Sequence, residues 1–407
     1  ISHSLLGKKI EIIVCGSIAA VESTRIIRAL RRLGAEVRPW MSDGAHKFIG
    51  ETALSWAAAH KTRLNFSGEQ SHIAHSCDLV LIAPASANFL AKIAHGFIDT
   101  AAQALVLSAL GQKKPVFILP TMHDDLYNSP NIQKNIKNLK LQTEVYFLNA
   151  RHEEGKQKSP LPEVLADQVS HLLCKLNKKH TNTKILLTLG PVRAYLDKIR
   201  HISNTSTGKL GSLICEELYR NGYEVFCVAG PAQVLPKVFT KLIKIETHKE
   251  MLEACLQLEK KVNALIMSAA VCDWQAKEIY EGKIKSNTKA LQLDLIPCSK
   301  ILSFFKDSNL IKIAFKLEAQ HCYEKQYKLA IEYFEKYKLN ALLMNTVNGV
   351  NQLNHQADFF EQETVLEKKT SKPLSSKKEI SHYICKYIDK NIHNLDKGKQ
   401  KYESHKI

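Results

Sequence analysis

Two stretches of the chain hold residues of the right types and spacing for chemistry. The first reads S-H-I-A-H-S-C-D-L-V-L-I-A-P-A-S-A-N over residues 71–88, with His72 and His75 ahead of an apolar run that ends in Pro84, Ser86 and Asn88. Imidazole titrates near neutrality, so a placed histidine can move a proton at physiological pH, a service worth about 10²- to 10⁴-fold in rate. The chain has 17 histidines; the adjoining loop is what singles out His72. The second stretch, T-L-G-P-V-R-A-Y-L-D-K-I-R-H-I-S-N-T-S-T-G-K-L-G over 188–211, sets Arg193 and Arg200 around Asp197 and puts Asn204 just beyond. Cations there suit phosphate, and an amide that donates and accepts at once suits a carboxylate. Two common phosphate motifs are missing. The turn C-G-S-I-A-A at 15–20 offers Gly16 and Ser17 but no G-x-G-x-x-G, so a mononucleotide fits it better than a dinucleotide. S-T-G-K at 206–209 is not a P-loop, because Ser203 stands where the first glycine is needed and Leu210 where Ser or Thr must follow the lysine.

The loop P-A-S-A-N at 84–88, preceded by a His-Ile pair and Asp78, resembles the flavin-dependent cysteine decarboxylase family over about residues 8–175. That family binds FMN and includes phosphopantothenoylcysteine decarboxylase and lantibiotic peptide decarboxylases. The resemblance implies that His72 is the catalytic base, that Gly16, Ser17 and Ser42 meet the flavin phosphate, and that Pro84, Ser86 and Asn88 form the flavin-binding loop. A flavin that oxidises a cysteinyl thiol to a thioaldehyde creates the electron sink that loss of CO2 requires. Two positions depart from the family. Its Pro-x-Met-Asn-x-x-Met-Trp motif reads P-T-M-H-D-D-L-Y at 120–127, which puts His123 where an amide contacts the substrate carboxylate, and the flap region 147–162 has no cysteine. Cys174, the nearest, falls in a helical pattern and is expected in the core.

In the second stretch Arg193, Asp197, Arg200, Asn204 and Gly208 resemble the phosphopantothenate–cysteine ligase signature, and S-A-A-V-C-D-W at 268–274 and K-I-K at 283–285 match two further segments of that family. The resemblance implies attack of the 4'-phosphopantothenate carboxylate on CTP, an acyl-cytidylate intermediate, and displacement of CMP by the cysteine amine, with Mg2+ on the nucleotide phosphates. Asn204 would orient the acyl group and Lys283 would meet the charge at the α-phosphate. Arg200, Ala269, Ala270 and Asp273 would border substrate and nucleotide, with Phe315 and Asn345 at the ends of later strands; Asp273 could instead be a salt-bridged structural residue. No metal ligands are assigned. The two signatures in tandem resemble the bifunctional enzymes that make the 4'-phosphopantetheine precursor of coenzyme A. The implied assembly is a homo-oligomer, trimeric through the flavin half and dimeric through the ligase half.

These residues need a scaffold, and the rest of the chain supplies one. I-E-I-I-V-C at 10–15, a helical repeat of Ile26, Ile27, Leu30 and Leu33, and A-E-V-R-P-W-M at 35–41 make one βαβ unit. Expected next are a helix over 44–59, a strand over 79–85, a helix over 86–110, strands over 115–122 and 143–150, and a helix over 162–177. After a polar stretch, placed as a boundary at residue 180, strands at 184–190, 223–230, 264–271, 311–318 and 341–347 alternate with helices at 208–221 and 321–338. D-F-F-E-Q-E-T-V-L-E-K-K suggests an antiparallel edge hairpin. The expected class is α/β, two doubly wound, mainly parallel sheets, flavodoxin-like and Rossmann-like, in tandem: an FMN domain over 1–180, a ligase domain over 181–390 and a frayed basic tail over 391–407.

Composition bounds the alternatives. The chain has 407 residues, 45% of them hydrophobic and 24% charged, enough for two buried cores and not the pattern of disorder. It opens on Ile1 rather than Met, as a trimmed chain would, with neither a signal peptide nor a membrane-length apolar run, which implies a cytoplasmic protein. Ten cysteines without a C-x-x-C pair imply a reducing compartment and no structural zinc. A net charge of +17 favours anionic ligands. Nucleic acid is the weakest partner among them, since aromatics are only 7% and the lysines crowd the chain end. One alternative stays open: a ligase whose flavin half, with His123 and no flap cysteine, is a weakened assembly or regulatory module.

Overall fold

The computed structural model describes residues 3–66, 76–177, 182–285, 291–318, 322–350, 355–367 and 371–403. It divides into two units, Ile1–Lys179 and His180–Ile407. Among the described residues no helix is long and apolar enough to cross a membrane.

The first unit is a five-stranded parallel sheet of β1 (Lys9–Val14), β2 (Glu36–Met41), β3 (Leu79–Ala85), β4 (Val116–Pro120) and β5 (Val145–Phe147), in the order β2-β1-β3-β4-β5. Successive strand residues face opposite layers, as a pleated strand requires. Ile10, Ile12, Leu79 and Leu81 pack with Ile26, Ile27, Leu30, Leu165 and Val169, which lie on the helices Ser23–Arg32 and Pro162–Asn177. Ile13, Val80, Ile82 and Ile118 pack with Phe89, Leu90, Ile132 and Ile136 on the other face. Both faces are covered, which is why these strands read as unbroken apolar runs. The helix expected over 86–110 is two helices, Ala87–Ala94 and Ala101–Gly111; the second starts anew because the Gln103 side chain takes the Thr100 N–H (2.7 Å). The one expected over 44–59 is a short 3₁₀ turn, Asp43–Lys47, and a helix, Glu51–Ala58.

The second unit is an eight-stranded sheet of β6 (Lys184–Leu189), β7 (Glu224–Ala229), β8 (Lys241–Lys244), β9 (Ala264–Met267), β10 (Ile311–Glu318), β11 (Ala341–Val350), β12 (His355–Glu361) and β13 (Lys372–Leu374), in the order β8-β7-β6-β9-β10-β11-β12-β13. Pairing is parallel as far as β11, and β12 and β13 close the edge antiparallel. Three sequence expectations are corrected. β9 stops at Met267 rather than 271, because Ala269 N–H turns to the Thr188 hydroxyl (3.3 Å) and Ala270 N–H to the Gly190 carbonyl (2.9 Å). Gln362–Leu366 is a helix, not the return strand of a hairpin. The described part of the basic end, 391–403, is helical where fraying was expected. It belongs to the helix Lys377–Glu403, whose Ile380, Ile384, Ile388 and Ile392 recur at helical spacing and are buried in the core.

The turn after β6 passes so close to the end of β7 that a Cβ on Gly230 would lie 1.8 Å from the Pro191 carbonyl oxygen. Gly230→Ala is therefore expected to destabilise the second unit by about 3 kcal/mol or more. Gly111→Ala, at a helix end with nothing within 4 Å of the added atom, is expected to change stability by less than about 1 kcal/mol. Chemical denaturation of the two variants side by side checks both values.

Candidate functional site

In the first unit the expected flavin residues gather along the carboxyl edge of the sheet. Ser42 N–H donates to the Val14 carbonyl (3.1 Å), Cys15 N–H to the Pro84 carbonyl (3.2 Å) and Thr121 N–H to the Ala85 carbonyl (3.3 Å). These bonds join the ends of β2, β1, β3 and β4 into one row. Ser17 caps the short turn Ile18–Glu22 through the Ala19 N–H, and Ser86 caps Ala87–Ala94 through the Phe89 N–H. Asn88 lies exposed on that helix's first turn. A Cβ on Gly16 would meet the Gly44 backbone at 2.7 Å, so the turns after β1 and β2 touch backbone to backbone. Gly44 is a residue that sequence reasoning missed; its signal was the S-D-G run beside Ser42. Burial pushes the Cys15 thiol up to about 12, which makes it packing rather than a nucleophile. His72 and its neighbour His75 fall outside the described residues.

His123 is exposed on a two-residue strand, Met122–His123, that pairs antiparallel with Lys156–Lys158. Lys156–Lys158 and Arg151–Glu153 form a hairpin. The hairpin is tied down through Asp124, which accepts from His152 Nε2 (2.5 Å) and Gln157 Nε2 (3.0 Å). These contacts, the His152 one first, hold the Asp124 carboxyl below the usual carboxylate range. Cys174, expected in the core, lies on the helix Pro162–Asn177 but is only half-buried, its thiol donating to the Ser4 carbonyl (3.4 Å).

In the second unit three segments far apart in sequence meet. After β6 the chain makes the hairpin Arg193–Tyr195/His201–Ser203. Beyond it the Asn204 amide donates to the Val271 carbonyl (3.0 Å), which sets Asn204 beside Ala269 and Ala270. The hairpin's turn also grips the segment that carries Lys283: Lys198 N–H donates to the Gly282 carbonyl (3.1 Å), and the Arg200 guanidinium to the Ile284 carbonyl (2.9 Å) and the Asp197 carboxylate (2.7 Å). Asp197 is buried, and its backbone donors, those of Arg200 and Ile284 first, hold its carboxyl well below the usual range. Lys283 itself is exposed.

Not every expected ligand residue points to a ligand. Arg193 pairs with Glu246 (3.2 Å), and Asp273, exposed, with Lys300. The Asp273 pairing is the salt-bridged alternative that the sequence left open. Phe315, on β10, is half-buried against the core. Asn345, on β11, donates to His355 Nε2 (3.3 Å) and borders a cavity of about 420 Å³. Gln326, 2% exposed, lines the same cavity with both amide atoms unpaired. Nothing in the periodicity of its helix marked it. Among the described residues no three His, Cys, Asp or Glu side chains form a metal-binding group.

Residues 1–173 match the family model described as Flavoprotein, and residues 180–392 match that of the DNA/pantothenate metabolism flavoprotein C-terminal domain. Several relatives carry the name coenzyme A biosynthesis bifunctional protein CoaBC. That of Thermococcus kodakarensis is 35% identical over 360 residues, 86% of this chain and 87% of its own. That of Methanocaldococcus jannaschii is 32% identical over 397 residues, 96% of each. That of Borreliella burgdorferi is 30% identical over 295 residues, 70% of this chain and 73% of its own.

Burial lowers the His355 pKa to about 4, below the ordinary 6.5, with Lys377 adding to the effect. The ring is therefore neutral in the fold, accepting from Asn345 at Nε2 and carrying its proton on Nδ1. Between those two pH values the unfolded chain binds the extra proton, so stability is full above about 6.5 and is lost as pH falls toward 4. Denaturant midpoints measured across that window should fall with acidification, and His355→Gln should flatten the slope.

Proposed function

The chain belongs to the family of bifunctional coenzyme A biosynthesis proteins, and on that premise we propose how its two units divide the work. The second joins cysteine to 4'-phosphopantothenate with CTP. The first decarboxylates the resulting phosphopantothenoylcysteine to 4'-phosphopantetheine with FMN. The observation that carries this reading is the convergence in the second unit of Asn204 on Val271, Ala270 on Gly190 and Arg200 on Ile284.

In the ligase step the 4'-phosphopantothenate carboxylate attacks the α-phosphorus of CTP and pyrophosphate leaves; the cysteine amine then attacks the acyl carbon and CMP leaves. Asn204, anchored by one amide N–H on Val271, keeps its oxygen and second N–H for the acyl group. Ala269 and Ala270 leave the strand end open to the nucleotide. Lys283 meets the negative charge that gathers at the α-phosphate, where a preorganised cation contributes several kcal/mol. Asp273 borders the nucleotide from its pair with Lys300, and Phe315 and Asn345 flank the nucleotide's far side. Magnesium rides on the nucleotide phosphates, a mode that needs few protein ligands.

What supports a flavin in the first unit is the close approach of the turns after β1 and β2, Gly16 against Gly44, which brings Gly16, Ser17 and Ser42 together at the carboxyl edge of the sheet. Bound there, FMN would supply the oxidation of the cysteinyl thiol that makes loss of CO2 feasible and, once reduced, would return the same two electrons to the decarboxylated product. Gly16, Ser17 and Ser42 hold its phosphate, and Pro84, Ser86 and Asn88 its ring side. His123 donates to the substrate carboxylate and His72 takes the proton.

Assembly follows from an exposed excursion of the second unit. The two short strands Trp274–Ala276 and Leu295–Pro297 carry exposed Trp274, Leu295 and Ile296, with Ile279 and Tyr280 beside them. Such a patch suits a second copy of the chain, which supports the dimer that the family resemblance implies for this half. The flavin half adds a trimeric contact. Ten free thiols fit a cytoplasmic protein.

With phosphopantothenate, CTP, magnesium and cysteine, the purified chain should release pyrophosphate, then CO2, and yield phosphopantetheine. A reaction that stops at the amide would confine turnover to the second unit. Lys283→Ala should slow pyrophosphate release about 100-fold and leave CO2 release from supplied phosphopantothenoylcysteine intact. Gly16→Ala should do the reverse, purifying without the flavin's visible absorbance while still making the amide.

A further inference from the structure

The Lys283 segment has few anchors of its own. It runs from the short strand Trp274–Ala276 through exposed Ile279 and Tyr280, and the Lys283 ammonium meets no acidic partner among the described residues. What fixes it is the turn of the 193–203 hairpin. Tyr280 N–H donates to the Leu196 carbonyl (3.0 Å) and Lys198 N–H to the Gly282 carbonyl (3.1 Å). Immediately after Lys283, both polar groups of Ile284 are taken by charged side chains of that turn. Its N–H donates to Asp197 Oδ2 (3.0 Å) and its carbonyl accepts from Arg200 Nη1 (2.9 Å).

Asp197 is the hub. Its carboxylate is fully buried and accepts four donors: the Ile199 N–H (2.7 Å), the Arg200 N–H (2.6 Å), Arg200 Nη1 (2.7 Å) and the Ile284 N–H. Three of these build the turn itself and the fourth reaches 87 residues along the chain. Bonds to an ionised acceptor are roughly twice as strong as neutral ones, and a buried carboxylate with its donors satisfied holds a single geometry. Removing the charge leaves the turn two backbone N–H contacts and one guanidinium contact in weakened form and frees the Ile284 N–H, with Lys283 next to it.

We propose that Asp197, through Arg200 and the Ile284 peptide, is a positioning residue that aims Lys283 at the nucleotide phosphates. The inference rests on the ligase reading above and adds a role for the Asp and second Arg of the signature. In this role they set the direction of the cation that meets the nucleotide. A misplacement of about 1 Å in such a group costs about 100-fold in rate.

The test is a double-mutant cycle on the full chain, reading steady-state pyrophosphate release from CTP, phosphopantothenate and cysteine. Asp197→Asn should lower kcat about 30- to 100-fold and change KM for CTP less than about threefold, because binding groups stay in place. In a Lys283→Ala background the same substitution should cost less than about threefold, since its effect passes through the missing ammonium. Equal losses in both backgrounds, or no loss in either, would overturn the proposal. Should Asp197→Asn fail to fold, Arg200→Gln, which keeps the buried carboxylate and its backbone donors, carries the same cycle, with Arg200→Lys expected to restore part of the loss. If the unsubstituted chain releases no pyrophosphate with CTP, the ligase reading itself falls; release by that chain with an additive cycle removes only the role of Asp197.

Discussion

At the carboxyl edge of a parallel sheet, neighbouring strands deliver their turns side by side, and a ligand can reach the backbone only where those turns nearly touch. Both units meet this constraint with glycine. Gly16 faces the Gly44 backbone in the first unit, and Gly230 faces the Pro191 carbonyl in the second. A side chain at either place would push two turns apart by more than the adjacent strands can absorb. The contacts downstream, from Cys15 on Pro84 to Ala270 on Gly190, presuppose that spacing. This is the general location of ligand sites in doubly wound sheets, reached here by close backbone packing in place of the missing glycine-rich fingerprint.

The parts of this arrangement that lie within one strand or helix were legible in the sequence. Fully buried parallel strands read as apolar runs, so β1, β3, β6 and β10 stood out, and the helices Ser23–Arg32 and Lys209–Arg220 followed from 3.6-residue spacing. Strand ends were less legible, because composition does not say where a backbone leaves its ladder. S-A-A-V continues the apolar run of β9, yet its amides bond to Thr188 and Gly190. The terminal helix was missed for a related reason. Its lysines dominate the composition, while Ile380, Ile384, Ile388 and Ile392 do the packing.

Site residues divide in the same way. Gly16, Ser17, Ser42 and Ser86 could be assigned to their turns, since a turn residue's neighbours are set by the strand before it, whereas Gly44 was missed. Partners across the sheet could not. Nothing in the spacing of Gln326 or His355 signals that they share a region with Asn345, because that proximity is made by an antiparallel return that puts Ala357 opposite Asn345. The same limit applies to Asp124, His152 and Gln157, which come together only because the hairpin folds back on the loop after β4. The strand that presents His123 is paired to that hairpin, so the loop after β4 and the hairpin are one sheet rather than two independent loops.

The charges of the second unit show why a basic signature is a poor guide to which residues face the ligand. Arg193 is spent on Glu246, Arg200 on Asp197 and Ile284, and Lys300 on Asp273. Each guanidinium or ammonium so paired has given up much of its field to a neighbouring carboxylate, and a screened, paired cation does little for a phosphate at a distance. Lys283 differs in that its surroundings hold the backbone and leave the side chain exposed. A catalytic cation needs both conditions at once: a fixed origin, so that the ammonium does not lose orientation when substrate arrives, and an uncommitted charge, so that its field falls on the reacting phosphate. Buried Asp197 supplies the first without compromising the second, because its negative charge is already satisfied by Arg200 and backbone N–H groups and is not available to draw Lys283 away.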